Sequence, residues 1–418
     1  MNRKYVLVAL PTFCSLLVGS SNLYAKNESI VARATRIHNE VLTVDTHVDT
    51  PLKLLRFDFN LGEHHDPRKS DSKVDLPRMK EGGLDAVFFA VYVSQGPRTP
   101  VGNGKAKEQA LRTFDAIHEA IKIHSNMAEL ALIPDDAYRI QKIGKRAIYI
   151  GMENGYSIGN DISLIRQYYD LGARYITLCH TRNNDICDSS TDKPEHHGLS
   201  AFGEKVVAEM NRLGMLIDVS HISDKAFYDV LERSEAPVIA SHSCARTLCD
   251  HPRNLDDEML KKLAEKEGVI QICVLSSYVR KSPQNPEREA ALKAFRQKYT
   301  NLRDLSDKEV TDAQRERRIL DKRYPRRLVT VSDAMDHIDH IVRVAGIDYV
   351  GIGTDFDGGA GLDGCYDVSE LKNITLDLVQ RGYTEQQIRK IWGGNFMRVF
   401  RKAIEVAEEL QSTPGKDP

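Results

Sequence analysis

The chain has 418 residues and a formal net charge of −2 at neutral pH. A nearly neutral chain lacks the basic surface that binds nucleic acid and the polybasic patch that binds an anionic membrane. Its length is sufficient to bury a full core and is compatible with one large α/β barrel or with two smaller domains.

The amino terminus predicts a secretory signal peptide over residues 1–25. A short basic region is followed by an apolar run, and Leu23-Tyr24-Ala25 resembles a small-residue cleavage site. The alternative is a retained membrane anchor, for which the apolar run is too short. We therefore expect an exported protein, periplasmic or secreted after cleavage near Ala25, without a stable membrane anchor and with residues 26–418 forming one domain.

Beyond the predicted signal peptide, apolar runs of strand length alternate with amphipathic stretches. Runs rich in Val, Ile and Leu that are separated by helices are typical of a parallel sheet buried on both faces. The predicted strands are 41–47, 84–94, 146–152, 175–180, 215–220, 237–241, 269–276 and 349–354. The predicted helices are 28–40, 105–130, 161–171, 201–213, 223–234, 255–267, 333–345, 368–381 and 384–407. Eight such strands predict an α/β fold, a (β/α)8 TIM-like barrel.

Two segments interrupt this alternation. Residues 280–330 are rich in charged side chains and predict a helical insertion before the last strand. A solvated surface segment is the simpler interpretation, and a lid is the alternative, since insertions of this kind lie on the functional face of a barrel. Residues 58–83 contain no predicted regular element, so we expect His64, His65 and Asp66 at the surface.

Six cysteines follow the predicted signal peptide, and the sequence leaves their state open. They are Cys179, Cys187, Cys244, Cys249, Cys273 and Cys365. In an exported protein they could form disulfides whose pairing the sequence does not determine. Several lie in apolar runs, where a buried free thiol is the alternative.

A candidate metal-binding pair lies at the end of the first predicted strand. Because side chains alternate between the two faces of a strand, His47 and Asp49 point to the same side. An imidazole and a carboxylate in this arrangement can bind a divalent cation, and Zn²⁺ is the usual choice for nitrogen and oxygen ligands. For this pair alone, a surface hydrogen bond is the simpler explanation.

Several later strands also end in residue types that bind metals. These residues are Glu153, His180, His221, His242, Asp355 and Asp357. The carboxyl ends of barrel strands meet at one rim, so these side chains should converge with His47 and Asp49. A structural histidine explains any single case, but four of the 14 histidines at one rim indicate a metal site, since unpaired polar groups there would be costly.

The number of candidate ligands suggests two ions. The strongest candidates are His47, Asp49, Glu153, His221 and His242. One catalytic zinc ion takes three protein ligands and a water, so five ligands suit two ions that share a carboxylate. Glu153 is the natural bridge because each of its oxygens can face one ion. A water held between two cations loses a proton near neutral pH, which predicts a hydrolase.

The motifs that contain these residues occur in a specific order. They are His47-Val48-Asp49, Gly151-Met152-Glu153, Asp218-Val219-Ser220-His221, Ser241-His242-Ser243, Pro252-Arg253-Asn254 and Gly353-Thr354-Asp355. This set resembles the membrane (renal) dipeptidase family over about residues 40–402. The resemblance implies a barrel of the metal-dependent amidohydrolase type and a zinc dipeptidase that attacks its substrate with a hydroxide bridging two zinc ions.

The resemblance also assigns roles to individual residues. His47 and Asp49 would hold one zinc ion, His221 and His242 the other, and Glu153 would bridge them. His180 would contact the scissile carbonyl oxygen and stabilise the developing oxyanion. Asp355 would carry a proton from the nucleophilic water to the leaving amine. Arg253 and Tyr278 match positions that bind the free carboxylate of the substrate, for which a planar guanidinium is well suited.

The substrate implied by the resemblance is a small dipeptide. Members of the family accept a D-residue at the carboxyl-terminal position, and a homodimer is an expectation because members are often dimers. Val48, Asn154 and the long insertion depart from the common family pattern and leave the side-chain preference open. The alternatives are another amidohydrolase-type enzyme, such as a lactonase, a phosphotriesterase or a β-lactam hydrolase, and a metal-dependent binding protein without catalysis.

Overall fold

The wall of the fold is a sheet of eight parallel strands that follow one another in chain order. The computed structural model describes residues 28–56, 59–70, 72–281, 285–299, 307–325 and 328–412, so the predicted signal peptide lies outside the described residues. The eight strands are β1 (Val44–Val48), β2 (Ala86–Tyr92), β4 (Arg146–Glu153), β5 (Ala173–Thr177), β6 (Leu216–Asp218), β7 (Ile239–Ser243), β8 (Val269–Ile272) and β9 (Val350–Ile352). A further short strand, β3 (Ala128–Leu130), pairs with the first half of β4.

The sheet is nearly closed into a barrel by a seam between β1 and the residues that follow β9. Val48 and Phe356 form a parallel bridge, and the amide of Asp355 donates to the carbonyl of His47 at 2.9 Å. The Asp45 carboxylate accepts hydrogen bonds from the amide and the hydroxyl of Thr354, at 2.8 and 2.6 Å. The predicted (β/α)8 barrel is therefore confirmed.

Helices surround the barrel and connect its strands. They are α1 (Ile30–Glu40), α2 (Pro51–Leu54), α3 (Leu76–Gly82), α4 (Pro100–Ile123), α5 (Pro134–Lys142), α6 (Ser163–Asp170), α7 (Ala201–Leu213), α8 (Asp224–Arg233), α9 (Asp257–Glu265), α10 (Ser276–Val279), α11 (Pro286–Lys298), α12 (Asp307–Arg323), α13 (Val331–Val344), α14 (Lys372–Gln380), α15 (Glu385–Arg389) and α16 (Asn395–Ser412). The helices α11 and α12 lie in the segment for which the sequence predicts a charged insertion. Arg288 of α11 forms an ion pair with Asp321 of α12 at 2.5 Å.

The last predicted helix, over 384–407, is interrupted in the structure. Between α15 and α16 the chain forms a π-helical turn over Lys390–Gly394. A Cβ on Gly393 would lie 2.8 Å from Val44 Cγ2 and 2.9 Å from the carbonyl oxygen of Leu42, so this glycine lets the turn approach β1 closely. The helical periodicity continues across the turn, which is why the sequence does not reveal it.

The segment predicted to lack regular structure, 58–83, contains helix α3. Asp75 caps this helix by accepting a hydrogen bond from the amide of Arg78 at 2.8 Å. His64 is exposed, as predicted, but His65 is partly buried because its Nδ1 lies 3.3 Å from Asp75. The predicted helix over 105–130 extends too far, since α4 ends at Ile123 and residues 128–130 form the short strand β3, whose sequence Ala-Glu-Leu has no β-branched residue.

The amino-terminal half of the barrel interior is filled by aromatic side chains. The ring of Phe88 packs on Tyr149 at 4.7 Å and on Tyr175 at 5.4 Å, measured between ring centroids. Phe396 and Phe400 of α16 close this end, with the Phe396 ring 5.1 Å from that of Phe88. We call these five residues the aromatic end of the barrel.

The six cysteines that follow the predicted signal peptide are buried free thiols. Of the two states that the sequence left open, the structure therefore has free thiols and not disulfides. Among the helices that the structure describes, none combines the length and the apolar character needed to cross a bilayer. The hydrophobic clusters instead lie inside the barrel and between the barrel and its helices.

Candidate metal centre

The carboxyl ends of the strands converge on the carboxylate of Glu153, the last residue of β4. Four histidines surround this carboxylate, which is 3% exposed. The distances from Nε2 are 3.2 Å for His221, 3.6 Å for His180 and 3.6 Å for His242 to Oε1, and 3.6 Å for His47 to Oε2. Four imidazoles therefore point a ring nitrogen at one buried carboxylate.

Unusual backbone conformations turn several of these side chains inward. His47 and His242 lie within strands, whereas His221 and Asp355 follow strands with positive φ angles of 72° and 63°. Asn154, directly after Glu153, has a φ of 78°. Non-glycine residues rarely adopt this left-handed region, and such strain is concentrated at functional sites.

Two further carboxylates lie beside His47. Ligand atoms of His47, Asp49 and Asp355 all lie within 4.8 Å of one another, and the three residues are buried. Burial, assisted by the negative charge of Glu153, raises the pKa of Asp49 well above its usual value, and burial raises the pKa of Asp355 to about 7. Several carboxylates buried together can all ionise only if a positive charge accompanies them.

The electrostatic field of the site favours a cation. Burial opposes protonation of His47, yet the carboxylates of Glu153 and Asp49 outweigh it and raise the pKa of His47 to about 10. Burial holds the pKa of His221 and of His242 well below the usual value, assisted by the charge of Arg253 at His221 and by that of His47 at His242, so these two imidazoles are neutral. Neutral imidazoles beside carboxylates are the donor set that zinc prefers.

Several buried atoms of the site have no hydrogen-bond partner among the described residues. They include His47 Nε2 and Asp49 Oδ1, and ligand atoms of these two residues lie within 4.8 Å of each other. His221 Nε2 and His242 Nε2 are only 2.9 Å apart, a contact in which two nitrogen lone pairs repel unless a cation or a proton lies between them. Since buried polar atoms are almost always paired, these atoms fit the ligands of metal ions.

His180 differs from the other three histidines because it is accessible. Its side chain is 19% exposed, and its ring packs edge-on against Tyr92 with 5.0 Å between centroids. Burial is the main cause that lowers the pKa of His180. A neutral imidazole at the open side of the site can donate a hydrogen bond to a bound substrate.

Arg253 and Tyr278 lie together beside the histidines. Arg253 is 3% exposed, its Nη2 donates to the carbonyl of His242 at 3.0 Å, and its Nε has no partner among the described residues. The guanidinium carbon lies 5.3 Å from the centre of the Tyr278 ring. The side-chain amide of Asn254 joins the two segments by donating to the carbonyl of Tyr278 at 2.8 Å.

Not every residue that the sequence places at the rim faces this centre. The carboxylate of Asp357 accepts hydrogen bonds from the hydroxyl of Thr50 at 2.8 Å and from the amide of Lys73 at 2.7 Å. Asp357 therefore fixes the loops around the barrel seam.

Three residues next to the histidines were missed by the sequence interpretation. Tyr175, Asp218 and Ser241 form hydrogen bonds directly behind His47 and His242. Asp218 and Ser241 belong to the motifs that contain His221 and His242. In the sequence analysis only the histidines of these motifs were given a role. The alternation of side chains places Tyr175 inside the barrel, although its partner is not visible from the sequence.

Comparison with known proteins places the chain among peptidases. Residues 31–414 match the family described as membrane dipeptidase, peptidase family M19. The chain is 33% identical over 358 residues to the dipeptidase TcpJ of Claviceps purpurea, a match that covers 84% of this chain and 74% of that protein. It is 32% identical over 406 residues to a protein of Schizosaccharomyces pombe described as an uncharacterized dipeptidase, covering 93% and 87% of the two chains.

The fold has a solved counterpart as well. The crystal structure of the probable dipeptidase PvdM from Pseudomonas aeruginosa superposes with a TM-score of 0.78 and 28% sequence identity. The match covers 90% of this chain and 99% of that chain. Nearly the whole chain therefore has the same architecture as PvdM.

Proposed function

Because the chain belongs to the membrane dipeptidase family, we propose that it is a metal-dependent dipeptidase with two zinc ions per chain. The observation that carries the proposal is the set of four imidazole nitrogens within 3.6 Å of the buried Glu153 carboxylate. The unpartnered atoms of His47 and Asp49 support it, because they show that the site contains more ligand atoms than its own hydrogen bonds satisfy.

The ligand sets follow from the positions of the side chains. His47 and Asp49 would hold one ion and His221 and His242 the other, with one oxygen of Glu153 toward each. The two oxygens support this arrangement, since Oε2 is near His47 and Oε1 is near His221 and His242. When bound, two zinc ions would lower the pKa of a water held between them and so supply the nucleophilic hydroxide for peptide hydrolysis.

Two residues of the chain would act on the substrate itself. His180 is accessible and neutral, and it would donate a hydrogen bond from its ring to the carbonyl oxygen of the scissile bond as negative charge develops there. Asp355 lies beside His47 and Asp49, and its pKa of about 7 suits a group that accepts a proton and returns it to the leaving amine.

Arg253 and Tyr278 would orient the substrate by its free carboxylate. The buried guanidinium of Arg253 has an unpartnered Nε, and a carboxylate can accept two parallel hydrogen bonds from such a group. This placement supports substrates with a free carboxyl terminus, and the proposed substrates include dipeptides that end in a D-residue. A lactonase or phosphotriesterase has no corresponding need for a carboxylate partner.

The proposal also covers the context of the enzyme. It is exported after cleavage near Ala25, and residues 26–418 act as one catalytic domain in a homodimer. Mass spectrometry of the protein recovered from the extracytoplasmic fraction tests the cleavage, and sedimentation of the purified enzyme tests the dimer. An intact residue 1 in that fraction, or a monomer at all concentrations, would refute the respective part.

The first experiment combines metal content with activity. Purified protein is analysed for zinc and tested on a panel of L,L and L,D dipeptides, with an amidated dipeptide as control. We expect two zinc ions per chain, cleavage of free dipeptides, no cleavage of the amidated control and loss of activity on chelation. Two ions without dipeptide cleavage would favour another amidohydrolase reaction, and the absence of bound metal would refute the proposal.

The variant Asp355→Asn separates an enzyme from a metal-dependent binding protein. The amide keeps the shape of the side chain but cannot carry the proton, so turnover should fall by about 100-fold or more while two zinc ions remain bound. Zinc analysis and the initial rate of dipeptide hydrolysis provide the two readouts. Unchanged turnover would remove Asp355 from the mechanism.

A further inference from the structure

Two buried hydroxyl groups lie directly behind two of the histidines at the metal centre. We propose that Ser241, held by Asp218, and Tyr175 are positioning residues that fix the tautomer and direction of His242 and His47, respectively. This inference rests on the proposed function, because its consequence is the affinity of the centre for metal ions. In this proposal one ligand of each zinc ion is held by a hydroxyl group, His242 by Ser241 and His47 by Tyr175.

The first support is a chain of hydrogen bonds from Asp218 through Ser241 to His242. The Ser241 hydroxyl lies 2.6 Å from Asp218 Oδ2 and 2.9 Å from His242 Nδ1. A carboxylate only accepts, so the single hydroxyl proton of Ser241 is directed to Asp218. The lone pair of the Ser241 oxygen is then left to accept the proton on His242 Nδ1. His242 must therefore present a bare Nε2 to the centre.

The carboxylate of Asp218 is itself held in place. Its Oδ1 accepts hydrogen bonds from the amides of Ser220 at 3.0 Å and Ser241 at 2.8 Å, and its Oδ2 also accepts one from the hydroxyl of Thr177 at 2.5 Å. Asp218 is fully buried at the end of β6. These donors hold the Asp218 carboxylate in place as the acceptor of the Ser241 hydroxyl proton at 2.6 Å, whereas the Ser220 hydroxyl lies farther from Ser241 Oγ, at 3.4 Å.

The second support uses a phenol in the same way. The Tyr175 hydroxyl lies 3.2 Å from the carbonyl of Thr46, to which it donates, and 2.8 Å from His47 Nδ1. Since its proton is directed to the carbonyl, the phenol oxygen accepts from His47 Nδ1. The Nε2 of His47, which has no hydrogen-bond partner among the described residues, is then the nitrogen that faces Glu153.

The third buried histidine has no such support among the described residues. His221 Nδ1 is buried without a hydrogen-bond partner, although its Nε2 lies 3.2 Å from Glu153. On the side of the centre that contains His221 and His242, Ser241 is therefore the positioning hydroxyl. On the side that contains His47 and Asp49, the positioning hydroxyl is that of Tyr175.

The test measures zinc affinity directly, so it does not depend on activity. Ser241→Ala and Tyr175→Phe each remove one accepting oxygen. Outer hydrogen-bond partners of metal-binding histidines are typically worth about 10- to 100-fold in metal affinity. Titration of the metal-free full-length protein in competition with a chromophoric chelator should show that each variant weakens one of its two zinc equivalents by that factor. The double variant should weaken both.

Two control variants distinguish positioning from general damage. Thr177→Val removes a hydroxyl from the same Asp218 carboxylate, but among the described residues the Thr177 hydroxyl makes no hydrogen bond to His242. Its zinc affinities should therefore stay within about threefold of the wild type, well below the loss typical of an outer partner. Ser241→Thr restores the accepting oxygen and should recover the affinity lost in Ser241→Ala. Circular dichroism of each protein confirms that it is folded before the titration.

The outcomes separate this inference from the proposed function. If the wild type binds no zinc, the proposed function fails. If the wild type binds two ions and Ser241→Ala and Tyr175→Phe bind both with unchanged affinity, only the positioning role is refuted. A loss in Thr177→Val equal to that in Ser241→Ala, or no recovery in Ser241→Thr, would also refute it. Should Ser241→Ala fail to fold, Tyr175→Phe tests the same principle at the other ion.

Discussion

The two ends of the barrel interior are built from opposite chemistry. At the amino-terminal end, Phe88, Tyr149, Phe396 and Phe400 form a dry aromatic cluster that is fully or almost fully buried. At the carboxyl-terminal end, carboxylates and all the imidazoles except that of His180 are also buried, and some of their atoms lack partners among the described residues. One end thus contributes stability through apolar burial, while the other retains polar groups that burial alone would not favour.

Tyr175 belongs to both ends. Its ring packs on Phe88 in the aromatic cluster, and its hydroxyl contacts His47 of the metal centre. Gly151 makes this possible, because it pairs with Tyr175 across the β4–β5 ladder and a Cβ at this position would lie 2.0 Å from the Tyr175 ring. Tyr175 therefore contributes both to the apolar packing that stabilises the barrel and to the support of His47.

The largest expected effect comes from removing the charge at the centre of the rim. Glu153→Gln keeps the shape but loses one negative charge and one accepting oxygen. We expect the metal affinity and the turnover to fall by more than the roughly 10- to 100-fold typical of losing an outer partner. Zinc titration and dipeptide hydrolysis provide the measurements. Retention of two tightly bound ions would show that Glu153 is not a shared ligand.

The aromatic end should respond in the opposite way. Phe400→Ala leaves a cavity beside Tyr149 and Phe396, so the free energy of unfolding should fall by about 3–5 kcal/mol. Denaturant unfolding of the metal-loaded protein measures this loss. The zinc affinity of the folded protein should not change, since the aromatic rings next to Phe400 are those of Phe88, Tyr149 and Phe396, all at the aromatic end. A parallel loss of zinc affinity would contradict the separation of the two ends.

Gly151→Ala tests the connection between the two ends. The added methyl group would displace the Tyr175 ring, so we expect a loss of about 1–3 kcal/mol in unfolding free energy from overpacking. The displaced hydroxyl should also weaken the binding of one zinc ion. Calorimetric unfolding and zinc titration of the same sample measure both effects. A stability loss with normal zinc affinity would mean that the His47 contact tolerates movement of the ring.

The smallest effect compares backbone strain at the rim with strain elsewhere. Glu267 is exposed and has a φ of 58°, so Glu267→Gly should raise the unfolding free energy by about 0.5–1 kcal/mol. Asn154→Gly should not stabilise, because the Asn154 side chain donates to the carbonyl of Val93 and accepts from the amide of Tyr156. Denaturant titration measures the unfolding free energy of both variants. Equal stabilisation by Glu267→Gly and Asn154→Gly would contradict this prediction.

The sequence predicts the barrel well because its strands carry a strong local signal. All eight barrel strands are buried on both faces, which produces the continuous apolar runs that mark them in the sequence. The three-residue β3 and the helix α3 were missed because the first lacks β-branched residues and the second lies in a polar segment. The π-helical turn at Gly393 depends on contact with β1, which is a tertiary effect.

The candidate site is predicted in part for a similar reason. The eight polar residues at the strand ends are visible because the barrel topology brings strand ends together, and seven of them do converge. Asp357 does not, because its carboxylate is engaged by Thr50 and Lys73. The supports of His47 and His242 depend on which hydroxyl faces which ring nitrogen, and no sequence period encodes that geometry.

The barrel seam described above also has a topological consequence. It joins residues that are 309 positions apart, through the contacts between Asp45 and Thr354. Joining the ends of a flexible chain of that length costs on the order of 5 kcal/mol in loop-closure entropy. His47 and Asp355 flank the seam, so a cation held by both residues at the rim would tie together the two ends of this long loop. Binding of that cation would therefore add to the hydrogen bonds of Asp45 and Thr354 that already close the barrel.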